Sequence, residues 1–217
     1  MKYKLLIFDL DGTILDTLDD LTSSVNFALD KNSLPLRTRD EIRSFLGNGI
    51  RLLIERSVPA DCNSVIIDKV FNDFKKHYSL HSCDSTKPYD GIIEMIEALK
   101  KFGFFTAVIS NKADFAVKNL IEQYFDGLFD YYVGERDGIP KKPSPDSVKE
   151  AMTYFNIDKE ETIYIGDSEV DVLTARNAET DLICVDWGFR SRHELSVAGA
   201  RIIVSEVTEL MNCILDA

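Results

Sequence analysis

Three short apolar runs, KLLIF at residues 4–8, FFTAVIS at 104–110 and TIYIG at 162–166, each give way abruptly to polar residues. A continuous apolar run of this length, bounded by polar breaks, fits a strand buried on both faces, as in a parallel sheet. Between and after the runs, hydrophobic residues recur at helical spacing: Ile92, Ile93, Ile96 and Leu99, then residues 116–124, 148–155 and 172–175. Strands that alternate with helices predict an α/β fold. Further strands are expected at 182–185 and 201–204, with a weaker strand pattern at 130–133 and a closing helix over 206–215.

From residue 16 to residue 83 the rhythm changes. Leu21, Val25, Ala28 and Leu29, then Leu52, Leu53 and Val58, then Val70, Phe71, Phe74 and Tyr78 recur at helical spacing with no strand between them. This predicts an insert of about four helices, closed by the turn-rich stretch 82–90 that contains Pro88. The expected division is an α/β core of residues 1–15 and 86–217, with a helical domain of residues 16–85 inserted after the first strand.

The 217 residues suffice for one such core and insert, and the formal charge of −12 argues against nucleic acid binding through the general surface. Any phosphate must therefore meet positive charge locally. No stretch approaches the ~20 apolar residues of a membrane span, and the N-terminal apolar run is too short for a secretion signal. Cys62, Cys83, Cys184 and Cys213 are scattered, and no histidine stands at metal-ligand spacing, so neither a disulfide framework nor a zinc site is expected. His77, His81 and His193 are dispersed and are assigned no role. The expectation is a cytoplasmic protein that binds neither nucleic acid nor membrane; its oligomeric state stays open between a monomer, which is favoured, and an assembly through caps or cores.

Ligands of open parallel sheets bind outside the carboxyl ends of the strands, and those ends carry the chemistry here. The first strand runs into Asp9-Leu10-Asp11-Gly12-Thr13. Continued strand alternation would project Asp9 and Asp11 to one side, and Gly12 permits a sharp turn. Paired carboxylates can divide the roles of nucleophile and acid, although Asp-Gly after a strand is also ordinary turn chemistry. Ser110-Asn111-Lys112 ends the second run with a hydroxyl and backbone N–H groups suited to phosphoryl oxygens. Lys142, in KKPSPD, supplies a cation before two prolines. Asp167 and Asp171 follow the third run, four residues apart, and carboxylate oxygens of this kind suit Mg²⁺.

Taken together, FDLDGTILDT, Ser110-Asn111, Lys142 and GDSEVD resemble, in order, the four motifs of the haloacid dehalogenase superfamily of phosphohydrolases. The insert directly after the first motif is similar to the cap of the subgroup that includes phosphoglycolate phosphatases. The resemblance implies a Rossmann-like parallel-sheet core, and a hydrolase that forms an aspartyl-phosphate on Asp9, with Asp11 as general acid and base and Thr13 supporting their loop. It further implies Ser110 and Lys142 on the phosphoryl oxygens, with Asn111 beside them. Mg²⁺ would be held by Asp9, the carbonyl of Asp11 and Asp167, with Asp171 ordering a metal-bound water or serving as a further acidic ligand.

The motifs concern the phosphate end of a small phosphorylated metabolite, and specificity is assigned to residues 16–85. There Phe45-Leu46-Gly47-Asn48-Gly49-Ile50-Arg51 resembles the glycine-containing cap segment of the same subgroup, and Arg51 is the candidate for a substrate carboxylate. Trp187-Gly188-Phe189 resembles its C-terminal region. Other readings of this core are a pyrophosphatase or broad phosphomonoesterase, a β-phosphoglucomutase-like mutase, and a non-catalytic regulatory protein.

Overall fold

The run at residues 4–8 becomes a strand over Leu5–Phe8 in which every side chain is fully buried, as expected for an apolar stretch with a strand on either side. In chain order the strands of this computed structural model, which describes residues 2–217, are β1 (Leu5–Phe8), β2 (Leu15–Asp16), β3 (Lys87–Pro88), β4 (Phe105–Ala113), β5 (Tyr131–Glu135), β6 (Thr162–Gly166), β7 (Asp181–Val185) and β8 (Ile203–Val204). The main sheet has the order β5-β4-β1-β6-β7-β8 and is parallel throughout. Phe8 is level with Val108 on one side and Ile165 on the other. After β1 the chain first adds β4 and β5 on one side, then β6, β7 and β8 on the other. The carboxyl ends of β4, β1 and β6 therefore flank the point where the strand order reverses.

The chain divides into two compact units, one comprising residues up to Leu15 together with Pro88–Ala217, the other Asp16–Lys87. In the first unit, helices α5 (Ile92–Lys101), α6 (Asp114–Tyr124), α7 (Asp146–Phe155), α8 (Glu169–Ala178), α9 (Arg192–Ala198) and α10 (Val207–Leu215) accompany the sheet, following the four helices of the second unit described below. Leu5, Ile7, Ala107, Ile109, Val148, Ala151, Tyr164 and Ala175 share one buried cluster.

Several boundaries differ from the sequence reading. The strand expected at 104–110 continues to Ala113, so Asn111 and Lys112 lie with Ser110 within a strand end whose pairing with β5 shifts register after Ile109, rather than beyond the strand. The pattern at 130–133 is a full strand, whereas the one at 201–204 pairs only at Ile203–Val204. Helix α9 was not anticipated, yet its signals are present: the Ser191 hydroxyl accepts from Glu194 N, the Glu194 carboxylate accepts from Ser191 N, and Gly199 ends the helix at φ 105°.

The second unit contains α1 (Leu18–Lys31), α2 (Arg39–Phe45), α3 (Ile50–Ser57) and α4 (Ser64–His81). Leu21, Val25, Ala28 and Leu29 of α1 are buried, as are Val70, Phe74 and Tyr78 of α4, the helix α1 packs against. Thr38 opens α2 with a reciprocal capping box to Glu41, and the Asn63 side chain caps α4 at Ile66 N. Where the chain enters and leaves this unit, β2 and β3 pair as a two-stranded sheet. Close by in sequence, buried Asp20 accepts hydrogen bonds from Ser85 N at 2.9 Å, Thr86 N at 2.9 Å and the Thr86 hydroxyl at 2.7 Å. Asp20→Ala strands these donors and is expected to cost about 3 kcal/mol of stability. Urea unfolding checks this, and an unchanged midpoint would show that water serves the donors equally well.

Candidate active site

The first site residue follows β1 directly. Asp9 N still donates to Ile165 O at 2.9 Å, after which the Leu10 carbonyl accepts from Thr13, Ile14 and Leu15 N at 3.0–3.3 Å. The chain therefore coils after Asp9 instead of continuing the strand alternation expected to project Asp9 and Asp11 to one side. The two acids reach different lysines. Asp11 receives Lys112 Nζ at 2.9 and 3.0 Å, while Asp9 Oδ1 receives Lys142 Nζ at 2.8 Å and Leu10 N at 2.7 Å. Asp9 Oδ2 has no protein partner among the described residues.

Lys142 is buried, and its three N–H bonds are all used: on Asp9 Oδ1, on Asp171 Oδ1 at 2.8 Å and on the Tyr164 hydroxyl at 3.0 Å. Burial opposes its charge, but Asp171 and Asp9 outweigh that and hold the ammonium well above its ordinary value. Asn111 Nδ2 donates to the Lys142 carbonyl at 3.0 Å, which ties the end of β4 to this loop. Ser110 is buried, and its hydroxyl accepts from Lys112 N at 3.2 Å.

Asp167 follows β6 and Asp171 lies in the first turn of α8. Asp167 accepts from the Thr13 hydroxyl at 3.2 Å and from Phe189 N at 2.7 Å. Asp171, fully buried, accepts from Ser168 N at 3.1 Å, the Ser168 hydroxyl at 2.6 Å and the Tyr164 hydroxyl at 3.1 Å. Carboxylate oxygens of Asp9, Asp167 and Asp171 lie within 4.8 Å of one another. Burial first, and then mutual repulsion, raise two of these groups: Asp9 to about 7, and Asp167 well above the usual carboxylate range. Among the described residues Asp9, Asp11, Asp167 and Asp171 pair with two ammonium groups, those of Lys112 and Lys142, so Asp9, Asp167 and Asp171 form a buried, all-oxygen donor set with more carboxyl groups than cations. That chemistry fits a hard divalent cation such as Mg²⁺.

Three contributors escaped the sequence reading of the site. Lys112 interrupts an apolar strand end, and a cation at such a place was the available signal. Tyr164 was counted only as an apolar strand residue, although a buried tyrosine hydroxyl requires a partner. The third is the loop after β7. Trp187 Nε1 donates to the Thr13 carbonyl at 3.1 Å, and Gly188 lies so close to the Gly12 carbonyl and the Asp167 side chain that a β-carbon there would overlap both. Gly12, at φ 85°, is equally tight against the Asp167 carboxylate. Gly188→Ala should therefore displace the Asp167 carboxylate; for a cation such as Mg²⁺ held by that carboxylate the expected loss of affinity is ~10–100-fold, the scale for disturbing a ligand's support. Calorimetric Mg²⁺ titration of the folded variant tests this, and wild-type affinity would refute the packing argument.

Arg51 belongs to the second unit, where it pairs with Glu55 at 2.8 Å and Asp68 at 2.5 Å and lies over the Phe71 ring. Among the described residues no helix is long and apolar enough to cross a membrane.

A central parallel strand that hands an aspartate to a buried lysine and an acidic cluster defines a Rossmann-like hydrolase of the haloacid dehalogenase type. Residues 6–185 match the family model of the haloacid dehalogenase-like hydrolases, and the chain belongs to that family. It is 31% identical to the phosphoglycolate phosphatase of Colwellia psychrerythraea, over 96% of this chain and 95% of that one. It is 32% identical to the phosphoglycolate phosphatase of Mesorhizobium japonicum, over 89% of this chain and 87% of that one. The crystal structure of a candidate phosphoglycolate phosphatase from Lactobacillus delbrueckii subsp. bulgaricus superposes with a TM-score of 0.93 at 37% identity, covering 99% of each chain. With such relatives along nearly its whole length, the chain is a phosphatase.

Proposed function

We propose that the chain hydrolyses small phosphate monoesters through an aspartyl-phosphate on Asp9, with Mg²⁺ as cofactor and 2-phosphoglycolate as the leading substrate. The observation that carries the mechanism is the division of the Asp9 carboxylate: Oδ1 is fixed by Lys142 and Leu10 N, and Oδ2 has no protein partner among the described residues. Oδ2 forms the bond to phosphorus as the ester P–O bond breaks. The Ser110 hydroxyl donates to a phosphoryl oxygen, the Lys142 ammonium offsets phosphoryl charge from its place on Asp9, Asp171 and Tyr164, Asn111 holds the Lys142 loop, and Thr13 steadies Asp167. Asp11, positioned by Lys112, gives a proton to the leaving alkoxide. It then takes one from the water that attacks phosphorus, which frees Asp9 and releases phosphate. Asp9, the Asp11 carbonyl and Asp167 would hold Mg²⁺, with Asp171 behind them. The bound ion would offset the repulsion between a carboxylate nucleophile and a polyanionic ester.

The choice of substrate rests on the similarity to the phosphoglycolate phosphatases over almost the full chain. Phosphate release from 2-phosphoglycolate, pyrophosphate, several sugar phosphates and p-nitrophenyl phosphate, with Mg²⁺ and with EDTA, tests both parts. Mg²⁺-dependent release led by 2-phosphoglycolate is expected. Release led by another ester would move the substrate, and release that survives EDTA would remove the metal. In the same panel Arg51→Ala is expected to raise KM for 2-phosphoglycolate about tenfold, the scale of one charge-assisted hydrogen bond, and to leave p-nitrophenyl phosphate unchanged. Equal KM values for wild type and variant would reduce Arg51 to a surface ion pair.

A further inference from the structure

Between the paired positions Ile109–Val133 and Ala113–Glu135, three residues of β4 face a single residue of β5, Gly134. An irregularity of this kind at a strand end re-aims side chains, and here it accompanies the reach of Lys112 Nζ to the carboxylate that follows β1. A β-carbon at Gly134 would overlap the Lys112 carbonyl and the Asp114 backbone, so the glycine lets β5 close against the bulge and fix the main chain of Lys112. The Lys112 side chain is 2% exposed, and its Nζ donates to Asp11 Oδ1 at 2.9 Å and to Oδ2 at 3.0 Å. Among the described residues these are the only hydrogen bonds that the Asp11 carboxylate receives. The main chain beside it is closed into a coil, with Gly12 N on Leu15 O at 2.9 Å, but the direction of the carboxylate itself is set by Lys112. Burial is the first cause of the raised Asp9 value and the Asp11 charge is among the others, which puts the two carboxyl groups within range of each other.

We propose that Lys112 is a positioning residue for the second half of the reaction: it aims the Asp11 carboxylate at the water that attacks the aspartyl-phosphate, and thereby sets how long that intermediate lasts. This rests on the reading of Asp9 as nucleophile and Asp11 as base given above. In this step the water oxygen forms a bond to phosphorus, the bond from phosphorus to Asp9 breaks with its electron pair on Asp9, and a proton of the water passes to Asp11. A carboxylate offers about four lone-pair positions, of which the ammonium takes one on each oxygen, so each oxygen keeps another for the water. Proton transfer needs heavy atoms roughly 2.6–3.2 Å apart, a condition that a carboxylate free to turn about its side-chain bonds meets only part of the time. Lys112 removes that freedom. An aspartyl-phosphate that water clears quickly has little chance of passing its phosphoryl group to a second hydroxyl, so Lys112 favours phosphate release over phosphoryl transfer.

The test uses p-nitrophenyl phosphate with MgCl₂, because 4-nitrophenolate is a stable anion that departs without a proton, and only the second half of the reaction then calls on Asp11. On rapid mixing, Lys112→Met is expected to release about one equivalent of 4-nitrophenolate per active site as a burst and then to turn over slowly. kcat and KM should fall together by about 100-fold, the scale for a reacting group displaced by about 1 Å, while kcat/KM keeps the wild-type value. Acid-quenched Lys112→Met should carry phosphate on Asp9 by mass spectrometry. Lys112→Gln keeps one N–H for Asp11 and should show a smaller fall in kcat; it carries the same comparison if the methionine variant does not fold. A loss of kcat/KM as large as the loss of kcat, without a burst, would reduce Lys112 to a structural ion pair. Asp11→Asn is measured alongside. A burst there and none in either Lys112 variant would overturn the assignment of Lys112 alone, whereas no phosphate on Asp9 in any of the three variants would overturn the mechanism on which it rests.

Discussion

Asp9→Asn is expected to lower kcat by about four orders of magnitude or more while leaving the protein folded, because an amide oxygen is a far poorer nucleophile than a carboxylate and its phosphoryl adduct does not form. The geometry is nearly isosteric, so Leu10 N and Lys142 keep an oxygen to bind. The substitution also removes one of the buried negative charges that hold Asp167 above the usual carboxylate range. Thermal stability without metal should therefore hold or rise as activity disappears, a combination that misfolding cannot produce. Turnover in H₂¹⁸O gives an independent reading. If water attacks phosphorus, the label enters released phosphate; over a single turnover the Asp9 side chain of wild type stays unlabelled. Label in Asp9 after one turnover would place the attack at the carboxyl carbon. Wild-type rates for p-nitrophenyl phosphate in Asp9→Asn would remove Asp9 from the chemistry altogether.

Lys142→Met is the second large effect, and it acts on stability and rate together. The ammonium group compensates both Asp9 and Asp171 in an almost dry setting, and its loss leaves two buried carboxylates facing each other. Breaking a buried ion pair from one side costs about 3–5 kcal/mol. In EDTA the unfolding midpoint should fall accordingly, and Mg²⁺ should restore part of it by supplying charge to the same carboxylates. Loss of a preorganised cation on the phosphoryl group should lower kcat by roughly 10²–10³-fold even in the Mg²⁺-restored protein. An EDTA midpoint equal to that of wild type would show that the carboxylates simply take up protons, and that Lys142 is dispensable for the fold.

The sheet was legible because buried parallel strands are the simplest signal a chain can carry: LLIF is apolar throughout, the runs within TIYIG and FFTAVIS are nearly so, and all three end at the residues that carry chemistry. The helical segment was legible for the corresponding reason, an apolar stripe at helical spacing with no strand-like run to interrupt it. Asp9, Lys142, Asp167 and Asp171 could be named one at a time, and the structure places them around one point. What could not be read was the pairing among them. Nothing in DLDGT says that Asp9 and Asp11 part company after a tight coil, one to Lys142 and the other to Lys112, because that depends on how far β4 extends past Ile109. Tyr164 illustrates the same limit, since its ring belongs to the core pattern and only its hydroxyl belongs to the site. Helix α9 was missed for a different reason: it is seven residues long and mostly exposed, so its evidence lay in its caps and not in a hydrophobic stripe.

Asp20 carries a meaning beyond its contribution to stability. By binding Ser85 and Thr86 it holds the beginning and end of a segment of some seventy residues side by side, where β2 and β3 also meet. To the sheet, such a segment is topologically no more than a hairpin turn, however long it is. Its length and sequence can drift, or be exchanged wholesale, while the strands that hold Asp9, Ser110 and Asp167 keep their registers. The protein is in that sense built so that the inserted segment can change without altering the strands that carry the site.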